Sequence, residues 1–212
     1  MRNKIRLMSV VVVLLAVSAP AFAQQPAFDF SSLEADEAAA VLAGGCFWCM
    51  EPPYDKLPGV VETISGYTGG SVENPTYQQV VRNNTGHYEA VLVVYRPEEI
   101  SYEELLEVFW VNIDPLDDGG QFCDRGSSYR SGIFYRTSEQ RRIADASKTE
   151  LESSGRLRGT VVTEILPAEE FYVAEEYHQD YYRKNPIRYR TYRTGCGRDA
   201  RLRQLWGSDA PS

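Results

Sequence analysis

The residues best suited to chemistry in this chain lie in one heptapeptide, GCFWCME, at residues 45–51. An apolar run and two glycines precede Cys46, an order typical of a strand that turns into a helix. Unpaired amide N–H groups at a helix start favour the thiolate, so Cys46 is the candidate nucleophile. Phe47 and Trp48 follow it, and two large aromatic side chains in such a turn indicate the wall of a pocket. A thiolate beside aromatic rings suits an uncharged, partly apolar substrate.

A second candidate group lies in the most regular strand pattern of the chain. Residues 87–95 alternate as a half-exposed strand does, and Glu89 falls on the same face as Val91 and Val93. A carboxylate among valines is unexpected, and loss of water around it would raise its pKa until it holds a proton at neutral pH. Glu89 is therefore the candidate acid for protonating a substrate oxygen. The plainer reading is an edge-strand carboxylate turned to solvent.

Five further motifs place the heptapeptide in a wider pattern. They are GYTGG at 66–70, PTYQQV at 75–80, TGHYEAV at 85–91, DRGSSYRS at 124–131 and AEEYHQDYY at 174–182. Together with the heptapeptide, and in this order, they resemble the signature blocks of the peptide methionine sulfoxide reductase A family. The resemblance runs from about residue 41 to about residue 185. Six blocks in the same order are too many for coincidence.

The resemblance implies a fold, an activity and an electron source. Members of this family have a ferredoxin-like core with loop and tail additions. They reduce the S epimer of methionine sulfoxide, free or in proteins, and their catalytic carboxylate matches Glu89. The reaction passes through cysteine attack on sulfur and a sulfenic acid. The chain contains no metal, flavin or nicotinamide motif and no fused thioredoxin-like domain, so we expect no cofactor and a separate thioredoxin-like electron donor.

The family pattern also assigns roles around the substrate. Tyr77 and Tyr129 match two tyrosines whose hydroxyls hydrogen-bond the sulfoxide oxygen, and a phenol donates without carrying charge. Asp124 matches an aspartate that helps to order the site. The resemblance places Phe47 and Trp48 around the S-methyl group of the substrate.

Four cysteines bear on how a sulfenic acid at Cys46 would be resolved, because a second thiol must condense with it to form a disulfide. Cys196, between two glycines on a C-terminal tail, is the first choice. Cys49 and Cys123 remain alternatives. The family often has a further cysteine after the PTYQQV block, where this chain has Val81.

Two other functional readings stay open. Cys46 and Cys49 form a CxxC pair, which also occurs in exported thiol–disulfide oxidoreductases. An even number of cysteines in an oxidising compartment also suits a non-enzymatic domain stapled by two disulfides. A zinc site is disfavoured because only one CxxC pair exists, with His87 and His178 far from it in sequence. Both histidines are read as structural hydrogen-bonding residues.

The N-terminus predicts export. Residues 1–23 combine three basic residues, an apolar run and an Ala-Phe-Ala cleavage site, as a secretion signal does. We therefore expect a periplasmic or secreted protein. No second apolar run approaches membrane-spanning length, so stable membrane association is not expected. The formal net charge of −8 becomes −11 once the three basic residues of the signal are removed, which disfavours nucleic acid as a partner.

The remaining chain reads as a linker at residues 24–37 and a single catalytic domain at residues 38–212, expected to be a monomer. Its basic C-terminal end is read as a solvated tail against an acidic body. Strand patterns at 38–43, 59–67, 87–95, 132–135 and 161–166 interleave with helix patterns at 46–57, 76–82, 102–111, 138–155 and 174–184. The first helix begins either at Cys46 with a distorted first turn or at Pro52. This order of elements predicts an α+β fold, a two-layer sandwich.

Overall fold

The fold is organised around a six-stranded mixed sheet. The computed structural model describes residues 26–211, so the predicted secretion signal at residues 1–23 lies outside the described residues. The described strands are β1 Ala38–Gly44, β2 Val60–Thr68, β3 Tyr88–Tyr95, β4 Gly120–Gln121, β5 Asp124–Arg125, β6 Ser131–Tyr135, β7 Glu164–Pro167 and β8 Tyr172–Val173. The described helices are α1 Phe47–Tyr54, α2 Tyr77–Val80, α3 Tyr102–Val111, α4 Ser138–Ser153, α5 Tyr181–Lys184, α6 Pro186–Gly195 and α7 Arg198–Trp206. Within residues 26–211, no helix combines the length and apolar character needed to cross a membrane.

The four inner strands of the sheet have the topology of a ferredoxin-like core. The sheet has the order β7-β6-β1-β3-β2-β8, and β4 pairs only with β5. In chain order, β1, α1, β2, β3, α3 and β6 follow a β-α-β-β-α-β path. The inner pairs are antiparallel, whereas β7 joins β6 in parallel. The predicted α+β fold is confirmed, and the ferredoxin-like core that the resemblance implies is present.

Each face of the sheet carries its own apolar cluster. On one face, alternate residues of β1 and β3 pack against α1, α3, α4 and α7. On the other face, the intervening residues pack with Phe134, Phe171 and the N-terminal segment. All eight residues of β3 are therefore buried, so the predicted half-exposed strand is wrong on this point. The alternating pattern assigns the residues of β3 to the correct faces of the sheet. It does not reveal that other segments cover the second face.

The described part of the predicted linker packs on the sheet instead of connecting two parts of the chain. Ala27 pairs with Tyr172 of β8, and Phe28 N donates to Phe171 O at 2.7 Å. Phe28 and Phe30 pack against the apolar cluster on the second face. The sequence of this segment shows no hydrophobic periodicity, because its contacts come from single aromatic side chains and not from a regular helix or strand.

Helix α1 begins directly after Cys46 and contains Pro52 and Pro53. Of the two starts that the sequence left open, the structure has the distorted first turn. Cys49 N donates to Cys46 O at 3.0 Å, which is a tight bond of the 3₁₀ type. Cys46 is therefore the N-cap residue, and Gly45 before it has a φ of +79°. The turn places the thiol at the helix entrance, as predicted.

The C-terminal segment is folded rather than solvated, which corrects the sequence reading. The predicted helix at 174–184 is reduced to the single turn of α5, and Pro186 begins α6 instead of ending that helix. Helix α7 packs Leu202 and Trp206 into the core and buries Arg198. Basic residues are frequent in this segment, but the residues that pack into the core are a few apolar ones and Arg198.

Gly45 is the position at which a substitution tests the turn before α1. Its φ of +79° is left-handed, and an added Cβ would lie 2.5 Å from the Cβ atom of Gln121. Gln121 is buried and fixed, because its side chain bonds both the N–H and the C=O of Asp114 at 2.8 Å. We expect Gly45→Ala to lower the free energy of unfolding by about 2 to 5 kcal/mol, from backbone strain and overpacking.

Gly155→Ala is the matched control for this prediction. Gly155 also has a positive φ, +65°, but no atom lies within 4 Å of an added Cβ. In this variant the free energy of unfolding should fall only by the cost of backbone strain, about 1 to 2 kcal/mol. Urea unfolding measures both losses, and equal values would contradict the packing argument.

Candidate active site

The structure brings the predicted site residues together at one end of the sheet. Cys46 follows β1, and Glu89 is the second residue of the neighbouring strand β3. Tyr77 begins α2, and Tyr129 ends a 3₁₀ turn before β6. Their side chains lie near each other and within electrostatic range of Glu89 and Cys46, and burial raises the pKa of both, so they stay neutral donors. A thiol, a carboxyl group and two phenols are thus brought close together.

The carboxyl group of Glu89 is buried, with 1% of the residue exposed. Its Oε2 accepts a hydrogen bond from Phe47 N at 3.2 Å, and the Tyr129 hydroxyl donates to the carboxyl as well. Burial raises the pKa of Glu89 to about 8 despite these hydrogen bonds, and the neighbouring Asp124 adds to the rise. Glu89 is therefore neutral at pH 7, and the solvent-facing reading of this residue is wrong. Its role as the acid stays a prediction.

The Cys46 thiol is not the accessible thiolate that its place at a helix start predicts. Cys46 is only 5% exposed, and burial raises its pKa well above the ordinary value. The pKa of the buried Cys49 is lowered to about 6, first because the Cys46 thiol donates a hydrogen bond to it, and then because Arg198 and Arg193 lie nearby. The two sulfurs therefore share one proton at neutral pH. At Cys46, the rise in pKa caused by burial exceeds the lowering expected from the helix N-terminus.

Trp48 forms the accessible wall of the site, whereas Phe47 is fully buried. Trp48 is half-buried and stacks on Tyr181, with ring centroids 3.7 Å apart and planes 8° apart. The edge of Tyr192 meets the Trp48 ring at 5.8 Å. Phe47 is 1% exposed, and its ring centroid lies 4.9 Å from that of His178. Of the two aromatic residues predicted to hold an S-methyl group, only Trp48 presents an open surface.

His178 fixes the orientation of the Trp48 ring. Its Nδ1 accepts a hydrogen bond from Nε1 of Trp48 at 3.0 Å. Burial lowers the pKa of His178 to about 4, so the ring is neutral and able to accept. The two ring nitrogens of His87 bond backbone groups, Gly70 N at 3.1 Å and Val72 O at 2.7 Å. Both histidines thus make the structural hydrogen bonds that we expected.

Three residues that shape this site were not predicted: Tyr181, Tyr192 and Arg198. Tyr181 lies in the AEEYHQDYY block, whose aromatic residues were the available signal for a packing role. Tyr192 and Arg198 lie in the basic C-terminal segment, and no local signal marks them. The Tyr192 hydroxyl donates to Oδ2 of Asp124 at 2.5 Å, which ties α6 to β5.

Asp124 lies beside a disulfide. Cys123 and Cys196 are bonded to each other, and Sγ of Cys196 lies 3.8 Å from Oδ2 of Asp124. Cys46 and Cys49 are free thiols. Cys196, the first choice for the resolving residue, therefore has no free thiol in this structure, and Cys49 is the cysteine hydrogen-bonded to Cys46. Two free thiols also disagree with the reading of a domain stapled by two disulfides.

The fold and the site define a thiol-based reductase. A free thiol, a neutral carboxyl group and two phenol donors lie close together, and a half-buried aromatic ring follows the thiol by two residues. Such a set can attack a soft, electrophilic atom while it protonates an oxygen attached to that atom. The apolar wall favours a small apolar substituent on the same atom.

Comparison with known proteins agrees with this chemistry. The profile of the family described as "Peptide methionine sulfoxide reductase" matches residues 38–210. Peptide methionine sulfoxide reductase MsrA of Bacillus subtilis is 54% identical over 169 residues, which cover 80% of this chain and 96% of that protein. MsrA 2 of Caulobacter vibrioides is 50% identical over 208 residues, which cover 98% of this chain and 100% of that protein.

Solved structures are similar as well. Methionine sulfoxide reductase A of Corynebacterium diphtheriae is 34% identical with a TM-score of 0.64, covering 73% of this chain and 77% of that one. Mxr1 from Saccharomyces cerevisiae in reduced form is 33% identical with a TM-score of 0.66, covering 72% and 88%. The chain belongs to the peptide methionine sulfoxide reductase family.

Glu89 should make the folded protein less stable as the pH rises. Its pKa is about 8 in the folded protein against an ordinary value of 4.5. A carboxyl group whose pKa is raised by folding contributes its stability fully below the lower value and loses it as the pH rises through the higher one. Glu89→Gln stays neutral, so we expect it to unfold at a higher temperature than the wild type at about pH 9, with a smaller difference at about pH 5.

Glu104→Gln provides a control of opposite sign. Glu104 is exposed, its carboxylate accepts a hydrogen bond from Ser101 N at 2.8 Å, and that bond lowers its pKa. Its removal should not raise the unfolding temperature at alkaline pH. Thermal unfolding followed by circular dichroism gives both values. If E89Q unfolded no later than the wild type above the pKa of Glu89, the Glu89 carboxyl group would have to be hydrated.

Proposed function

We propose that this chain reduces methionine sulfoxide, free or within proteins, to methionine, with Cys46 as the nucleophile. The observation that carries the proposal is the meeting of a buried thiol, a neutral carboxyl group and two phenol hydroxyls in a chain of this family. Trp48 offers the apolar surface for the S-methyl group. The uncharged donors suit a substrate that is polar at oxygen but carries no net charge there.

In the first step, the Cys46 sulfur attacks the sulfur of the sulfoxide. The thiol proton passes to the Cys49 thiolate, to which it is already hydrogen-bonded. Glu89 gives its proton to the sulfoxide oxygen, while Tyr77 and Tyr129 donate hydrogen bonds to the charge that develops there. A sulfur–sulfur bond forms in this attack. It breaks as the protonated oxygen moves from the substrate sulfur to the Cys46 sulfur, so methionine leaves with its electron pair and Cys46 becomes a sulfenic acid.

In the second step, the Cys49 thiol attacks the sulfur of the sulfenic acid, which forms a Cys46–Cys49 disulfide and releases water. Cys49 is favoured over Cys196 because it already contacts Cys46, whereas Cys196 is bonded to Cys123. A thioredoxin-like donor then returns the pair to two thiols by thiol–disulfide exchange.

The arrangement selects one epimer of the sulfoxide. The oxygen must face Glu89 and the two phenols, the methyl group must face Trp48, and the sulfur must face Cys46. Three distinct contacts around one stereogenic sulfur admit only one configuration. We take the preferred form to be the S epimer because the resemblance to the family carries that preference.

The proposed place of action is the periplasm or the medium outside the cell. The basic, apolar and small-residue pattern of residues 1–23 supports export. The Cys123–Cys196 disulfide suits an oxidising compartment. The thioredoxin-like electron donor would then be an exported protein as well.

Single-turnover experiments test the roles of the two cysteines. Cys46→Ser should release no methionine from the S epimer. Without added reductant, Cys49→Ser should release about one methionine per protein and then stop with a sulfenic acid on Cys46, which dimedone labels. In the wild type, mass spectrometry should find a Cys46–Cys49 disulfide and no dimedone adduct.

Cys196→Ser is the control, because it removes the second disulfide without touching the Cys46–Cys49 pair, and its first turnover should match the wild type. Methionine release by C46S would contradict the assignment of the nucleophile. A first disulfide between Cys46 and Cys196 would contradict only the choice of Cys49.

The same preparation separates the alternative functions. With dithiothreitol as reductant, we expect rapid consumption of methionine sulfoxide and no acceleration of model disulfide reduction. A CxxC thiol–disulfide oxidoreductase would show the reverse pattern. A non-enzymatic domain would do neither.

A further inference from the structure

The guanidinium group of Arg198 is buried against the turn that holds both free thiols. Arg198 is 1% exposed. Its Nη2 donates to the carbonyl oxygens of Gly44 at 3.0 Å and Asn112 at 2.8 Å, and it lies 3.1 Å from Sδ of Met50. Gly44 ends β1 and Met50 lies in the first turns of α1, so the cation contacts a backbone carbonyl before the reactive cysteines and a side-chain sulfur after them.

The charge of Arg198 has no carboxylate partner at salt-bridge distance among residues 26–211, and its Nε makes no hydrogen bond there. The other arginines nearby are paired: Arg193 lies 2.7 Å from Asp199, and Arg201 lies 2.6 Å from Asp114. A buried cation without an anion costs several kcal/mol, so an anion in the same space would offset part of that cost.

The Cys46–Cys49 pair can supply this anion. After the hydrogen bond from Cys46, the attraction of Arg198 is the largest influence that lowers the pKa of Cys49. Asp124 and an ionised Glu89 act in the opposite direction on the pair. Burial raises the pKa of Asp124, and Tyr192 and then Arg198 oppose that rise, so Asp124 competes with the pair for the same cation.

The other cation near the pair is Arg193, which also lowers the pKa of Cys49 but is paired with Asp199. The remaining titratable neighbours among the described residues are phenols that burial keeps neutral: Tyr77, Tyr129, Tyr189 and Tyr192. Arg198 is thus the one unpaired cation beside the thiols in the described part of the chain.

We infer that Arg198 is the cation that allows the buried Cys46–Cys49 pair to hold a negative charge, and that it acts as a positioning residue for the nucleophile. The inference rests on the proposed role of Cys46. Helix α7 then does more than pack on the core, because it places the positive charge of Arg198 beside the buried thiols. The Cys123–Cys196 disulfide fastens the chain two residues before Arg198.

The pH profile of thiol alkylation tests the inference. With the second disulfide intact, Cys46 and Cys49 are the free thiols among the four cysteines, so iodoacetamide reports on this pair alone. Arg198→Met keeps an unbranched stem and removes the charge. We expect the midpoint of its alkylation profile to rise by about one pH unit or more, which lowers the rate at neutral pH about tenfold.

Arg198→Lys separates charge from geometry. This variant keeps a cation but loses the planar fork that reaches Gly44 and Asn112. Its midpoint should stay within about 0.3 pH units of the wild type even if its thermal stability falls. Arg201→Met is the matched control from the same helix, and its profile should be unchanged because Arg201 is paired with Asp114.

A folded R198M with the wild-type profile would overturn the inference, and so would an R198K whose midpoint rises. Circular dichroism identifies the folded variants. If the methionine variant does not fold, the lysine variant decides alone: an unshifted midpoint supports the role of charge, and a raised one excludes it. Because alkylation uses no sulfoxide, failure here is distinct from failure of the proposed reductase activity.

Discussion

Exclusion of water from one end of the sheet is the constraint on which the rest of this structure depends. The carboxyl group of Glu89 keeps its proton to about pH 8 because it is packed among the apolar residues of β3. Helices cover one face of that strand, and the aromatic side chains of the N-terminal segment cover part of the other. In the same dry space, the hydroxyls of Tyr77 and Tyr129 remain neutral donors, and their hydrogen bonds are stronger than they would be in water.

The acid and the nucleophile make opposite demands on this environment. A neutral carboxylic acid is favoured by low polarity, whereas a thiolate is penalised by it. The structure meets both demands locally: the two sulfurs share a proton, and an arginine from the C-terminal helix lies against the turn that carries them. The C-terminal segment, the loop of Asp124 and the Cys123–Cys196 disulfide thus belong to the same electrostatic unit as the catalytic turn.

Local patterns predicted the parts of the site that lie within recognisable elements. The order of glycine, cysteine and aromatic residues indicated the turn into α1, and the alternation around Glu89 placed a carboxylate among valines. The ionisation of Cys46 was mispredicted because it depends on burial by distant segments, which no heptapeptide encodes. Tyr192 and Arg198 were missed for a related reason, since basic neighbours made their segment read as solvated. The partner of Cys46 depends on distances in the folded chain, so sequence alone left three candidates: Cys196, Cys49 and Cys123.

Glu89 is a buried acid that holds its proton at neutral pH. A ¹³C nuclear magnetic resonance titration of the glutamate side chains measures this directly, with E89Q to distinguish its signal from that of Glu51, whose pKa burial also raises, to about 7. The Glu89 signal should titrate with a midpoint near 8. A midpoint near the ordinary value of 4.5 would show a hydrated carboxylate instead of a buried, neutral acid.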